Sequence, residues 1–274
     1  MVMFKTLFKG FAIGLVLGLW SCGSQGWTGA KGGIYQPDTE ISRVFPRLQQ
    51  PLLAQIEGKD WKSQVSVYFP ENYNTQDQFP VLVWLGGGAG SLGDNLKLAR
   101  QITQDRDFIC VNLPLYKAEV KPLPSTDAGY WPQVIIEQED SGVIWRQYRV
   151  LLDAVLRSIP NLDRSKMFLG GFSNGANTTA VLLNDPNLNL FHYFNHFILV
   201  EGGNMLSSFA RVQGHPLLIL EGDQRRPRFF EGAFQAMRGD VPNVTYLLME
   251  ETGHELPKRY QGELRRWLLE QGKR

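Results

Sequence analysis

The chain has 274 residues and a formal net charge of +1 at pH 7, and hydrophobic residues make up 43% of it. This length suits one sizeable domain with its own core, and the hydrophobic content excludes an intrinsically disordered chain. Charges of one sign form no long run, so the composition gives no indication of a nucleic-acid partner.

The N-terminus has the layout of a secretory signal peptide. Two lysines, Lys5 and Lys9, precede an apolar stretch from Gly10 to Trp20. That stretch is too short to span a bilayer comfortably, since spanning takes about 20 residues, and small residues follow it. We therefore expect an exported protein whose signal peptide covers residues 1–21.

The residues around Cys22 resemble a bacterial lipobox, in which the cysteine is lipidated and becomes the first mature residue. Leu19 and Ser21 fit that pattern, whereas Trp20 is bulkier than usual. The resemblance implies a lipoprotein anchored to a membrane and facing the periplasm or the cell surface. A simple cleaved signal and an uncleaved anchor are the alternatives. If Cys22 is lipidated, Cys110 is the only other cysteine, and we predict a buried core thiol there.

Residues 22–59 are predicted to form a tether and N-terminal extension, and residues 60–274 the folded domain. Gly-rich sequence at 24–33 indicates the tether, and a short helix fits residues 48–56. Residues 61–69 alternate between apolar and polar side chains, which predicts a strand with one solvated face.

The folded domain alternates predicted strands with predicted helices. Apolar runs typical of buried parallel strands lie at residues 81–85, 108–113, 167–172, 197–200 and 216–220, and a further strand is predicted at 244–249. Helices are predicted over residues 94–104, 139–159 and 177–183, and from residue 256 onward. This order predicts an α/β fold with a mostly parallel central sheet flanked by helices on both faces.

A candidate nucleophile lies between the strand at 167–172 and the helix that follows it. Residues 171–175 read Gly-Phe-Ser-Asn-Gly, a Gly-x-Ser-x-Gly pattern. Between a strand and a helix, such a serine lies on a tight, strained turn that exposes its hydroxyl group, and the glycines lack the Cβ atoms that would collide there. We interpret Ser173 as the nucleophile; a solvated serine in an ordinary Gly-rich turn is the alternative.

His254 is the candidate base, because it lies in a loop after the last predicted strand. A neutral imidazole can take the hydroxyl proton of Ser173 and return it to a leaving group. A surface loop histidine is the alternative. His192 and His196 have i, i+4 spacing, but no Glu or Cys completes a metal-ligand set, and His215 precedes a strand, where we expect a structural role.

Four segments together resemble the α/β-hydrolases, specifically the branch of esterases and polyhydroxyalkanoate-depolymerase-like enzymes. In chain order they are residues 79–88, ending in Gly-Gly-Gly, then 163–175, 218–223 and 252–256. The likeness covers residues from about 61 to about 270. It implies an α/β-hydrolase fold and an exported serine hydrolase that cleaves small-molecule or polymeric esters through an acyl-enzyme, without a metal or cofactor. The serine–acid–histidine chain order of these enzymes fits Ser173 and His254.

The resemblance also implies an oxyanion hole built from backbone N–H groups. One donor is the amide of Asn174, directly after the nucleophile, and the other comes from Gly87 or Gly88. In the family this loop usually begins with a histidine, where this chain has Gly86. The change keeps the backbone donors and leaves open how rigidly the loop is held.

The acid of the triad is the least determined member. The family's acid usually lies three residues after the glycine that ends the seventh strand. Counted from Gly222, that position is Arg225, which cannot orient an imidazolium. Asp223 is our preferred acid. Glu201, at the end of the preceding strand, is the alternative because some related enzymes place their acid there; Glu221 is a weaker choice, and the absence of a working acid stays open.

The loops suggest an open site. Residues 202–215, between the sixth and seventh strands of the resemblance, are too few for a lid domain. The long connection at 114–132 could wall one side of the site. Two rivals to an esterase stay open: a peptidase of the same fold, and a non-catalytic α/β-hydrolase-like lipoprotein without a working acid, which Arg225 supports.

Overall fold

The computed structural model describes residues 33–35, 65–88, 93, 95–116, 120–121, 133–134, 138–204, 206–212, 214–224 and 243–273. The predicted signal peptide, Cys22, the predicted helix at 48–56 and Arg225 lie outside the described residues. So does the predicted domain boundary between residues 59 and 60.

An eight-stranded sheet with strand order β1-β2-β4-β3-β7-β8-β9-β10 forms the centre of the domain. The six strands from β4 to β10 in this order are mutually parallel, and β2 is antiparallel to both β4 and β1. A separate two-stranded sheet joins β5 and β6. The strands are β1 (Gly33–Tyr35), β2 (Val65–Tyr68), β3 (Phe79–Leu85), β4 (Ile109–Asn112), β5 (Val120–Lys121), β6 (Gln133–Val134), β7 (Leu162–Phe172), β8 (His196–Val200), β9 (Leu217–Gly222) and β10 (Val244–Met249).

Helices cover both faces of the sheet. They are α1 (Lys97–Thr103), α2 (Ser141–Ser158), α3 (Asn174–Asn184) and α4 (Lys258–Lys273). The apolar sides of α2 and α3 pack in one core cluster, and those of α1 and α4 pack in the other. Along β3, Val81, Val83 and Leu85 belong to the first cluster and Leu82 and Trp84 to the second. The apolar run of β3 is therefore continuous because the strand is buried on both faces of the sheet, as predicted.

The predicted fold class is confirmed, and the elements differ from the prediction mainly at their ends. Strand β7 begins at Leu162, five residues before the apolar run at 167–172, and its pairing with β3 shifts register there. Its exposed polar residues could not be recognised as strand from an apolar pattern. Cys110 is a free, buried thiol as predicted, and burial raises its pKa to about 12.

The parallel strands bring six loops to one edge of the sheet, because their carboxyl ends all point the same way. These loops follow β3, β4, β7, β8, β9 and β10. Between β8 and β9 the described residues of the connection include a short 3-10 helix, Phe209–Val212. Among the described residues, no helix is long and apolar enough to cross a membrane.

Candidate active site

Ser173 occupies a sharp turn between the last residue of β7 and the first residue of α3. Its backbone has φ 55° and ψ −116°, which is an uncommon conformation for a residue with a Cβ atom. The amide of Ser173 donates to the carbonyl of Val200 at 2.8 Å, and its carbonyl accepts the amide of Asn177 at 3.0 Å. The neighbouring strand and helix thus hold the strained turn in place.

The two glycines of the Gly-x-Ser-x-Gly pattern allow backbones to approach closely on both sides of Ser173. A Cβ atom at Gly171 would lie 2.3 Å from the carbonyl carbon of Gly175, and one at Gly175 would lie 2.2 Å from the carbonyl oxygen of Leu85. Helix α3 can therefore begin directly against β7 and the end of β3 only because these side chains are absent.

His254 reaches the hydroxyl group of Ser173 from the loop after β10. Its Nε2 atom lies 2.8 Å from Ser173 Oγ, a hydrogen-bond distance that suits proton transfer. The side chain is 25% exposed, and its ring packs 5.1 Å from the ring of Phe172. The structure thus brings together the nucleophile and the base predicted from the sequence.

Glu201 lies on the other side of the imidazole. Its Oε2 atom is 3.1 Å from Nδ1 of His254, and its carboxylate is almost fully buried. The second carboxylate oxygen accepts the amide of Gly222. Glu201 has a left-handed backbone, with φ 51°, and the residue after it must be glycine, because a Cβ atom at Gly202 would lie 2.3 Å from the carbonyl oxygen of Ser173.

The preferred acid from the sequence, Asp223, does not contact His254. Its Oδ1 atom accepts the amide of Thr252 at 3.1 Å, and the amide of Gln224 donates to the carbonyl of Thr252 at 3.1 Å. Asp223 therefore holds the loop that carries His254, and the structure corrects the preference for Asp223 in favour of Glu201. The distance of Asp223 from Gly222 along the sequence does not determine the direction in which its carboxylate points.

The weakest candidate acid, Glu221, is buried within β9. Its carboxylate accepts the hydroxyl group of Tyr246 on the neighbouring strand β10 at 2.8 Å. Among the described residues, Glu201 is therefore the carboxylate that lies within hydrogen-bond distance of His254.

The predicted oxyanion-hole residues lie beside Ser173. A Cβ atom at Gly87 would lie 3.2 Å from the Cβ atom of Ser173. Gly88 has φ 75°, and its carbonyl accepts the side-chain amide of Asn174 at 2.9 Å. The loop after β3 thus runs directly alongside the turn that carries Ser173, as the predicted oxyanion hole of Gly87 and Asn174 requires.

A cavity of about 390 Å³ opens next to Ser173, a size within the usual range of small-molecule sites. The three glycines after β3, Ser173 and His254 form its reactive side. Trp84, Leu98 and Phe172 add apolar surface, and the side chain of Asn95 adds an amide. The cavity can therefore take an apolar group attached to a carbonyl carbon at Ser173.

The other histidines lie outside this site. His196 is buried and stacks on Phe168 at 4.4 Å between ring centroids, and His215 stacks on Phe191 at the same distance. His192 lines a separate cavity of about 130 Å³ with Tyr193. Within the part of the chain that the structure describes, no cluster of His, Cys, Asp or Glu side chains could hold a metal ion.

Sequence reasoning missed three asparagine side chains that hold loops of the site. Besides Asn174, the side chain of Asn177 accepts the amide of Gly203 at 2.7 Å. Asn112, at the end of β4, donates to the carbonyl of Trp84 at 2.7 Å and accepts the amide of Asn95 at 2.9 Å. One signal was available: asparagine is a weak helix former and a common loop-binding residue, and two of the three lie in the first turn of α3.

Comparisons with known proteins support the fold. No protein-family model matches the chain, and no curated protein matches it in sequence. Among solved structures, a carboxylesterase from Mesorhizobium loti matches with a TM-score of 0.53 and 17% identity over 75% of this chain and 94% of that chain. The Bacillus cereus carboxylesterase matches with a TM-score of 0.51 and 18% identity over 81% of this chain and 100% of that chain.

A larger protein shares the same architecture. A putative dipeptidyl aminopeptidase IV from Bacteroides ovatus matches with a TM-score of 0.50 and 13% identity. The match covers 90% of this chain and 36% of that one. Identities this low indicate a shared fold, and the chemistry of this chain has to be argued from its own site.

Proposed function

We propose that this chain, which has the α/β-hydrolase fold, is a serine hydrolase that cleaves carboxylic esters through an acyl-enzyme. The observation that carries the proposal is the continuous hydrogen-bond chain from Ser173 through His254 to Glu201 on a strained strand-to-helix turn. These three side chains supply the nucleophile, the base and the acid that acyl transfer needs.

In the proposed first step, Ser173 Oγ attacks the carbonyl carbon of the ester. His254 Nε2 takes the hydroxyl proton while its Nδ1–H donates to Glu201, which stabilises the imidazolium that forms. The tetrahedral intermediate then collapses, the C–O bond to the alcohol breaks, and His254 returns the proton to the leaving alkoxide. In the second step His254 takes a proton from water, which attacks the acyl-enzyme. The bond from the acyl group to Ser173 Oγ then breaks, Ser173 regains its proton from His254, and the carboxylic acid product leaves.

The negative charge on the carbonyl oxygen would be stabilised by the backbone N–H groups of Asn174 and Gly87, with Gly88 as the alternative donor. The close packing of Gly87 against Ser173 supports this assignment. Losing one such donor typically lowers the turnover number by a factor of about 100 to 1,000.

An ester with a modest apolar group fits the site best. The cavity beside Ser173 is largely apolar, and the connection between β8 and β9 is too short to form a lid domain. The same triad could cleave amides, so a peptidase is the second candidate within this fold. The non-catalytic alternative is weakened because the carboxylate of Glu201 lies within hydrogen-bond distance of His254.

A fluorophosphonate probe tests the proposal. We expect it to label the wild-type protein, and we expect Ser173→Ala to abolish labelling while circular dichroism and melting temperature stay unchanged. Wild-type protein should hydrolyse nitrophenyl acetate and butyrate faster than aminoacyl-anilides, whereas the opposite order would favour the peptidase. Folded wild-type protein that neither reacts with the probe nor hydrolyses any of these substrates would contradict the proposal.

We also propose that the protein is exported and anchored to a membrane through a lipid on Cys22. The support is the sequence of residues 1–22 alone, with its lysines, short apolar stretch and lipobox-like end. Labelled palmitate fed to expressing bacteria should enter the wild-type protein and not Cys22→Ser. Equal labelling of both proteins would rule out this anchor.

A further inference from the structure

Two loops of the site begin with consecutive glycines and are held by contacts from outside the loop. The loop after β3 reads Gly86-Gly87-Gly88, and the loop after Glu201 begins Gly202-Gly203. Gly88 and Gly203 have φ angles of 75° and 90°. Glycine backbones have more conformations available than any other residue type, so these loops do not fix their own geometry. One loop carries the proposed oxyanion donor, and the other follows the proposed acid.

The first loop is held by Asn174. The side-chain Nδ2 atom of Asn174 donates to the carbonyl of Gly88 at 2.9 Å, across a sequence separation of 86 residues. This bond ties the loop to the first residue of α3, one position past the nucleophile. It therefore fixes the chain next to Gly87, whose N–H is the proposed second oxyanion donor.

The second loop is held by Asn177, one turn further along α3. The side-chain Oδ1 atom of Asn177 accepts the amide of Gly203 at 2.7 Å. Gly203 is two residues after Glu201, so this bond fixes the turn in which the backbone of Glu201 takes its left-handed conformation. Asn174 and Asn177 are three residues apart and so lie on neighbouring positions of one helix face.

We infer that Asn174 and Asn177 are positioning residues, Asn174 for the oxyanion loop and Asn177 for the acid Glu201. This inference rests on the proposed serine hydrolase function. The two side chains use opposite halves of the same amide group, since Asn174 donates through its NH₂ group and Asn177 accepts through its oxygen. The first turn of α3 thus sets the distance of both glycine loops from the nucleophile.

Because the two bonds have opposite polarity, aspartate distinguishes them. A carboxylate can accept a hydrogen bond but cannot donate one. Asn174→Asp should therefore break its bond, as Asn174→Ala does, whereas Asn177→Asp should rescue most of the activity that Asn177→Ala loses. Both aspartates add the same charge in the first turn of one helix, where negative charge is tolerated.

The measurements are kcat and KM for a nitrophenyl ester and for the matching thionoester, whose sulfur is a weak acceptor. Loss of one hydrogen bond corresponds to a fall in kcat of about tenfold. We expect this fall in Asn174→Ala for the oxygen ester, with a smaller fall for the thionoester and KM changed by less than about twofold. In Asn177→Ala, kcat should fall by a similar factor for both substrates, because Glu201 orients the base in both reactions.

Asn184→Ala is the control, because Asn184 lies at the opposite end of α3, where its side chain accepts the amide and the hydroxyl group of Ser207 and donates to Gln138. It should lose these hydrogen bonds and keep wild-type kcat. If Asn174→Ala and Asn177→Ala also keep kcat within twofold, with melting temperatures like that of Asn184→Ala, the inference is wrong. If Asn174→Ala fails to fold, Asn174→Asp decides the question. A wild-type enzyme inert to esters and to the phosphonate would instead remove the proposed function, and the inference with it.

Discussion

The two ends of strand β8 both carry a buried titratable side chain, and they use it in opposite ways. His196 begins the strand and lies among aromatic rings, with Phe168 stacked on it and the ring of Trp267 6.4 Å away, while its Nδ1 atom lies 2.8 Å from Oδ1 of Asn195. Glu201 directly follows the strand and lies among N–H donors from His254 and Gly222. The same five-residue strand thus joins a mainly aromatic environment, with one hydrogen bond at the edge of the His196 ring, to one in which both carboxylate oxygens of Glu201 are hydrogen-bonded.

The difference shows how burial can be made compatible with charge. Burial, assisted by the nearby charge of His215, lowers the pKa of His196 to about 4, so its ring stays neutral near pH 7 and serves as an aromatic packing group. Glu201 is buried still more completely, but both carboxylate oxygens have hydrogen-bond partners, which is the condition for keeping a buried charge. The two ends of β8 thus bury a titratable side chain in different ways, one mainly against aromatic rings and the other against N–H donors.

The largest expected effect is at the charged end of β8. In Glu201→Gln, the amide oxygen should stay on the N–H of Gly222, so the NH₂ group would face Nδ1 of His254. That arrangement favours the imidazole tautomer with its proton on Nε2, which cannot accept the proton of Ser173. We expect kcat/KM for a nitrophenyl ester to fall by a factor of about 1,000 to 10,000.

Asp223→Asn is the matched control for that change. An asparagine oxygen can still accept the amide of Thr252, so we expect kcat/KM within about threefold of wild type. If Asp223→Asn and Glu201→Gln reverse their ranking, Asp223 is the working acid in solution, and the assignment of the carboxyl end of β8 as the acid site fails.

The second expected effect concerns the close backbone contacts at the same end. In Gly202→Ala, the new methyl group would lie 2.3 Å from the carbonyl oxygen of Ser173, so the backbone must shift. We expect a loss of about 3 kcal/mol in the free energy of unfolding, measured in urea. Gly262→Ala is the control, because Gly262 lies in α4 with no atom within 4 Å of the new methyl group. It should leave stability unchanged or raise it by up to about 1 kcal/mol.

The smallest expected effect is at the packing end and depends on pH. The pKa of His196 is about 4 in the folded protein, below its ordinary value of 6.5, so the unfolded chain binds the proton more readily. The contribution of neutral His196 to the free energy of unfolding is present above pH 6.5 and is lost as the pH falls toward 4. We expect the free energy of unfolding to fall by about 2 kcal/mol between pH 7 and pH 5 from this group.

His196→Phe should keep the stacking and flatten this part of the stability profile. Urea unfolding at several pH values measures this slope, and His192→Phe, a change at an exposed histidine before β8, should keep the wild-type slope. If the free energy of unfolding of wild type and His196→Phe has the same pH dependence, the lowered pKa of His196 is wrong, and with it the contrast between the two ends of β8.

Sequence patterns predicted the fold because the features that determine it are local. Continuous apolar runs marked the buried strands, and the Gly-x-Ser-x-Gly pattern marked the turn at Ser173 because only glycine permits the approach of Leu85. The order of strands and helices then determined which loops share an edge. Ser173 and His254 could be paired from sequence for the same reason.

The acid and the loop supports depended on side-chain direction, which sequence spacing does not contain. Asp223 and Glu201 both follow strands at the same edge of the sheet, and only the direction of their side chains, Glu201 toward His254 and Asp223 toward the amide of Thr252, distinguishes them. The sequence predicts Asn174 only as a backbone N–H donor and Asn177 only as part of a helix. Their partners, Gly88 and Gly203, are distant in sequence and have no side chain that could signal a contact.

The backbone angles of Ser173 restrict which residues could ever replace it as a nucleophile. A φ of 55° with a ψ of −116° is poorly tolerated by β-branched side chains, whose second γ substituent crowds the backbone. Threonine would therefore keep the hydroxyl group and lose the turn, whereas cysteine has the unbranched shape of serine. The backbone at this position thus tolerates Ser173→Cys, which exchanges oxygen for sulfur, more readily than Ser173→Thr, which adds one methyl group.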